Sequence, residues 1–274
     1  MIGPRKADDI GRGSPAFRRA VFICLLLFFP MNRLALFLAA FMAAVPAASA
    51  ASRLSEPTLR IEPAGKGMAP QVALTFDACS GQTDMRILTT LVGNGIPATI
   101  FVTARWLKRN EAALAILKAH PDLFEIENHG AMHVPPVDRP VLIYGIPAAG
   151  SPAAVSAEVE GGAAAMRQRG LEPHWYRGAT AKYTLSSIAE IRTLGFRIAG
   201  YSVNGDDGSL LSAKGVVKRY LSARDGDVII SHINQPTHAA GGGVAEGILA
   251  LKAKGYRFVK LDDAIEDGSD GTVN

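Results

Sequence analysis

The spacing of apolar positions changes period repeatedly along this chain, and the two periods alternate. Val72-Ala73-Leu74-Thr75-Phe76 sets a large apolar side chain at every second position, which predicts a strand. Ile87, Leu88 and Leu91 then recur at helical spacing behind the N-cap candidates Thr83 and Asp84, and Gly93 and Gly95 close that helix. The exchange continues with strand 96–102, helix 112–119 stopped by Pro121, strand 124–127 and a Pro/Gly-rich loop over 135–150. Ser151-Pro152 opens the next helix as N-cap and first residue, and Gly170 ends it. Strand 175–177, helix 185–194, strand 197–203, helix 213–221, strand 228–233, helix 244–254 and strand 256–261 follow. About seven strands alternating with helices, without internal repeat or linker, predict one α/β domain on a parallel sheet, open or closed into a barrel.

Parallel α/β folds collect their chemistry at the C-terminal ends of strands. There the sequence puts Asp77, then Asn128, His129 and His133, then Arg177, then Asn204, Asp206 and Asp207, and finally His232. Taken singly, each has an ordinary structural role. Asp77 reads as a helix cap, Arg177 as a surface ion pair, His232 as a neutral core imidazole and Cys79 as a small buried apolar side chain. His129 and His133 stand at i and i+4, on one face of a turn or helix, which suits two imidazoles on one divalent ion. Five strands delivering ionisable groups to one rim is more than a purely structural domain requires.

Charge changes the picture mainly at the N-terminus. The 274 residues include 29 Lys+Arg and 25 Asp+Glu, a net charge of +4. Six of the basic residues but only two of the acidic ones lie in 1–50, which leaves 23 of each in 51–274. A balanced remainder removes the reason to expect a nucleic-acid partner. Residues 31–50, MNRLALFLAAFMAAVPAASA, combine Arg33, an apolar run and the small residues Ala48-Ser49-Ala50, as a secretory signal peptide does. The expectation is a start at Met31, cleavage after Ala50, export to the periplasm or beyond, and no stable membrane span afterwards. The alternative is an uncleaved anchor over 21–44. Of the two cysteines, Cys24 lies in the leader and only Cys79 beyond it, so no intrachain disulfide is expected in the exported protein. The expected organisation is leader 1–50, lead-in 51–70, catalytic domain 71–266 and a disordered tail 267–274.

From Gln71 to Ile265 the order of these residues resembles the polysaccharide deacetylase family, carbohydrate esterase family four. The strand followed by Thr75-Phe76-Asp77-Ala78 is similar to the family's Thr-Phe-Asp-Asp. The run Glu125-Ile126-Glu127-Asn128-His129-Gly130-Ala131-Met132-His133 is similar to its His-x-x-x-His motif. Arg177-Gly178-Ala179 corresponds to Arg-x-Pro, Asn204 to Gly208 to Asp-x-x-Asp-Trp, and Ile230-Ser231-His232 to Leu-x-His. The resemblance implies a single-domain deformed (β/α) barrel that removes acetyl groups from an amino-sugar polysaccharide or oligosaccharide with a divalent metal, zinc by preference.

By the same resemblance, Asp77 is the general base, His232 the general acid, Arg177 paired with Asp207 the support for Asp77, and His129 and His133 the metal ligands. Ala78 departs from the pattern, because it stands where the family has its third ligand and alanine cannot bind a metal. The sphere is then completed by Cys79, Asn128, Asp77 itself or water, or the metal is weak, or it is absent. Ala179 and Gly208 depart as well, replacing a Pro and a Trp of the sugar groove, while Trp175, Tyr176, Tyr183 and Tyr201 are candidate sugar-stacking surfaces. Two other functions compete with the metal-dependent de-N-acetylase: a carbohydrate-binding relative without catalysis, and a metal-independent, allantoinase-like amide hydrolase.

Overall fold

Strand β1 (Gln71–Ala78) is buried along nearly its whole length, as a strand covered on both faces must be. Val72, Leu74, Phe76 and Ala78 join the larger apolar cluster, whereas Ala73 belongs to a second cluster and Thr75 and Asp77 carry polar groups on that same opposite face. The alternation seen in the sequence is therefore the division between an outer, helix-covered core and the inside of a curled sheet.

The computed structural model describes residues 53–265. After β1 come α1 (Met85–Asn94), β2 (Ala98–Val102), α2 (Ala104–Leu107), α3 (Glu111–Ala119) and β3 (Phe124–Asn128). A small antiparallel hairpin, β4 (Leu142–Ile143) with β5 (Ile146–Pro147), precedes α4 (Pro152–Arg167), β6 (Trp175–Tyr176) and α5 (Leu185–Thr193). The chain ends with β7 (Arg197–Ile198), β8 (Val203–Asn204), α6 (Ala213–Leu221), β9 (Asp227–His232), α7 (Ala239–Ala253), β10 (Arg257–Val259) and α8 (Leu261–Ala264). Seven strands run in the order β7-β6-β3-β2-β1-β9-β8, every neighbouring pair parallel. β10 lies off this path, against the first residues of β1, while β2 takes the later ones. The deformed barrel of about seven parallel strands expected from the sequence is thus the fold observed.

Helix starts follow their caps. Asp84, Thr103, Ser151, Thr184 and Ser212 each accept a backbone N–H of the first turn, an interaction worth about 1 kcal/mol apiece. Two expectations change. The strand expected over 197–203 is broken between Ile198 and Val203, because Ala199 and Gly200 turn their carbonyls to the Arg177 guanidinium instead of to a neighbouring strand. The segment before residue 71 is also more than a lead-in, since Leu59 and Ile61 are buried in the inner cluster. Its backbone bonds to Tyr201, beside the gap between the edge strands β7 and β8, and Ser55 and Arg60 form bridges to Tyr183 and Asp227. The hairpin inside the expected loop over 135–150 was not anticipated. Among the described residues no helix is long and apolar enough to cross a membrane. The leader, with its signal-peptide reading, and the tail 267–274 lie outside the described residues.

Candidate active site

Asp77 ends the inner face of β1, and Arg177 follows β6 directly. The Arg177 side chain is fully buried, and such a charge is tolerable only if its donors are used and a counter-charge is near. Both conditions hold. Nε donates to Ala199 O at 3.1 Å, Nη2 to Gly200 O at 3.0 Å, and Nη1 to Thr75 Oγ1 at 2.9 Å and Asp77 Oδ1 at 3.1 Å. The guanidinium also stacks 4.3 Å from the Phe101 ring centre. Burial opposes ionisation of Asp77, but His129, Arg177 and His232 outweigh it and hold the carboxyl below its ordinary range.

Asp207, expected as the partner of Arg177, is not among the groups bonded to it. It sits exposed at φ 53° with its backbone N–H on Asn204 Oδ1. The motif's buried carboxylate is its neighbour Asp206, which bonds His232 and not Arg177. Asp206 accepts from the His232 backbone N–H at 2.6 Å and from His232 Nδ1 at 3.0 Å. Burial lowers the imidazole pKa, yet Asp206 more than reverses this, and His232 is held above its usual value. Register places Asp77 directly beside His232 on the adjacent parallel strand, so a low-pKa carboxylate and a high-pKa imidazole share one face.

His129 and His133 come together as expected, their ring centres 5.1 Å apart, but on an irregular loop after β3 and not on a helix face. His133 takes φ 64°, and Gly130, at φ 91°, packs so closely on Glu158 that a Cβ would overlap its carboxylate. Glu158 holds this loop: its carboxylate accepts the N–H groups of Met132 and Val134 at 2.9 and 3.0 Å. Nothing in the sequence pattern pointed to Glu158, which lies within α4.

The loop also fixes a tautomer. His129 Nδ1 donates to Arg177 O at 2.6 Å, so the neutral ring presents Nε2 as a bare acceptor. Burial depresses the pKa of His129, and burial together with the neighbouring His129 takes His133 down to about 3. Nε2 of His129 faces Asp77 Oδ2 at 3.7 Å and Cys79 Sγ at 3.6 Å. In the neutral tautomer the Nε2 lone pair faces a carboxylate oxygen and a sulfur, an arrangement that suits a cation. Donor atoms of Cys79, His129 and His133 all lie within 4.8 Å of one another, so the residues present fit a divalent metal. Asn128 is not part of that set, because its side chain bonds Val159 O and the Gly130 N–H.

These groups border a cleft of about 520 Å³, lined among others by Asp77, Cys79, His133, Asp207 and His232. Of the aromatics considered for sugar stacking, Trp175, Tyr176 and Tyr183 are buried core, while Tyr201 reaches the cleft and bonds Glu56. Tyr144, exposed at the tip of the β4–β5 hairpin, joins it there.

The sequence profile described as polysaccharide deacetylase matches residues 64–199. The chain belongs to the polysaccharide deacetylase family. Solved structures similar to this polysaccharide deacetylase relative include a family 4 pseudoenzyme of Bacillus anthracis, at 18% identity and TM-score 0.60 over 76% of this chain and 68% of that one. A mutant of that protein is described as having restored enzymatic activity. Bacillus subtilis PdaA, a family 4 carbohydrate esterase, has 18% identity and TM-score 0.58, covering 76% of this chain and 84% of that one. A family 4 carbohydrate esterase of Streptomyces lividans, in complex with acetate, has 21% identity and TM-score 0.53, covering 69% and 91%. These TM-scores show the shared fold. No curated protein matched the sequence.

Proposed function

We propose that the protein is an exported hydrolase that removes acetyl groups, N-acetyl foremost, from an amino-sugar polymer or oligosaccharide. The observation that carries this reading is the side-by-side pairing of Asp77, supported by Arg177, with His232, supported by Asp206, beside a donor set that fits a metal. Amide hydrolysis needs a base for water, a polarised carbonyl and an acid for the leaving amine. A divalent metal, zinc by preference, held by His129 and His133 with a third donor would polarise the acetyl carbonyl and make the attacking water more acidic.

Asp77 takes the water proton, and Arg177 keeps it ionised and aimed while occupying the oxygen not needed for that transfer. His232 gives the departing sugar nitrogen its proton, and the Asp206 carboxylate on Nδ1 favours the protonated ring and fixes its orientation at the edge of the cleft. The exposed Tyr144 and the half-buried Tyr201 offer flat surfaces to a sugar ring.

A carbohydrate-binding protein without catalysis is favoured by one observation, the alanine at position 78. The complete acid–base pair weighs against it, since binding alone needs neither member. Acetate release from N-acetylglucosamine oligomers and peptidoglycan fragments, with chelator and with added zinc, separates the readings. Release that chelator stops and Asp77→Asn abolishes is expected. Sugar binding without release overturns the enzyme, and chelator-resistant release overturns the metal.

A further inference from the structure

Strand alternation decides which side chain reaches the metal donors. Ala78 points with Phe76 and Leu74 into the outer apolar cluster and is fully buried there. A side chain leaving the strand from position 78 therefore faces core, not cleft. One residue further the chain returns to the side of Asp77, and Cys79 Sγ stands 3.6 Å from His129 Nε2. A tetrahedral zinc with Zn–S about 2.3 Å and Zn–N about 2.0–2.1 Å requires a sulfur-to-nitrogen edge of about 3.5–3.6 Å. The observed separation already matches that edge.

Three further features agree. His129 offers Nε2 as a bare acceptor because Nδ1 is committed to Arg177 O. The Thr103 hydroxyl donates to the Cys79 carbonyl and the Thr103 N–H to the Ala78 carbonyl, which fixes the backbone carrying the sulfur. Cys79 is also a free thiol at the wall of the cleft, with no disulfide partner among the described residues.

We infer that Cys79 is the third protein ligand, and that this chain has exchanged a family carboxylate for a thiolate one residue later, giving a Cys/His/His centre with one position left for water or substrate. The inference extends the metal-assisted reading above. A thiolate is a softer donor than a carboxylate, so the centre should prefer zinc or cobalt to magnesium, calcium or manganese. Binding costs the thiol its proton, so loading releases it to solvent.

Cobalt(II) titration of the full-length protein, freed of metal with chelator, tests this without reference to turnover. One cobalt per chain is expected, with a sulfur-to-cobalt charge-transfer band in the near ultraviolet. Cys79→Ser should abolish that band and weaken binding at least as much as loss of an outer-shell partner does, on the order of 10- to 100-fold. Cys79→Asp should restore much of the affinity without the band, and circular dichroism of both variants checks that they fold. Cobalt bound with its visible ligand-field bands but no charge-transfer band, and unchanged in Cys79→Ser, overturns the thiolate ligand while leaving the two-histidine metal reading intact. Failure of wild type to bind cobalt or zinc overturns both.

Discussion

Glu125 is a carboxylate placed where ionisation costs stability. It lies on β3 two residues before Glu127, on the same face, at the end of the barrel away from the cleft. Its Oε2 accepts from Thr99 Oγ1 at 2.9 Å and the Asp262 N–H at 3.2 Å, but its Oε1 is buried without a partner. Burial first, and then the charge of Asp262, raise its pKa from 4.5 to about 7. Burial and the charge of Glu125 push Glu127 well above its usual value too.

Below pH 4.5 both folded and unfolded chains hold the Glu125 proton. Between there and pH 7 the folded chain holds it and the unfolded chain does not, so stability falls as pH rises. A shift of about 2.5 pH units at 1.36 kcal/mol each makes the loss about 3 kcal/mol. Glu125→Gln keeps the Thr99 and Asp262 bonds on its carbonyl and puts an amide N–H in place of the orphan oxygen. Urea unfolding at pH 5 and pH 8, with chelator present, should show wild type losing most of that amount and the variant losing much less. The variant should be the more stable of the two at pH 8. Parallel losses in both proteins would refute the argument.

Asp206→Asn removes the charge that raises His232, so the alkaline limb of the acetate-release pH profile should move to lower pH, with a fall in rate of about 100-fold or more. Gly162→Ala sets a Cβ against Asn128 Oδ1 and 2.7 Å from the Gly130 carbonyl carbon, beneath the histidine loop. It should cost about 1–3 kcal/mol by thermal melting and weaken metal binding through displaced histidines. Leu59→Ala should cost about 2–5 kcal/mol in denaturant, because the segment before β1 fills the inner core. A near-neutral Leu59→Ala would make that segment a mere tether.

Much of the barrel was legible because its strands are buried and most of its longer helices open on a capping side chain. The helix over Ala239–Ala253, by contrast, has no side-chain cap and begins five residues before the expected 244. Helix 213–221 was read to the residue, and Asp77, His129, Arg177 and His232 do meet at one rim. What escaped depends on contacts that have no local trace. The break in strand 197–203 is caused by a guanidinium that comes from 22 and 23 residues upstream of the carbonyls it binds. Asp206 and Asp207 are indistinguishable as letters, and only the backbone turn at φ 53° decides which one enters the core. Glu158 supports the histidine loop through backbone N–H groups, which leave no pattern in side-chain chemistry. The direction of Cys79 follows from strand parity, but only once β1 is known to run through Ala78.

The bridge between Arg60 and Asp227 has a consequence for synthesis. These residues stand 167 positions apart, and the earlier one lies in the segment just before β1. β1, which follows, gains β9 and β10 only from the last fifth of the sequence. A nascent chain therefore holds its opening segment and its central strand without their final neighbours until almost everything has been made. Contacts of such long sequence separation slow folding.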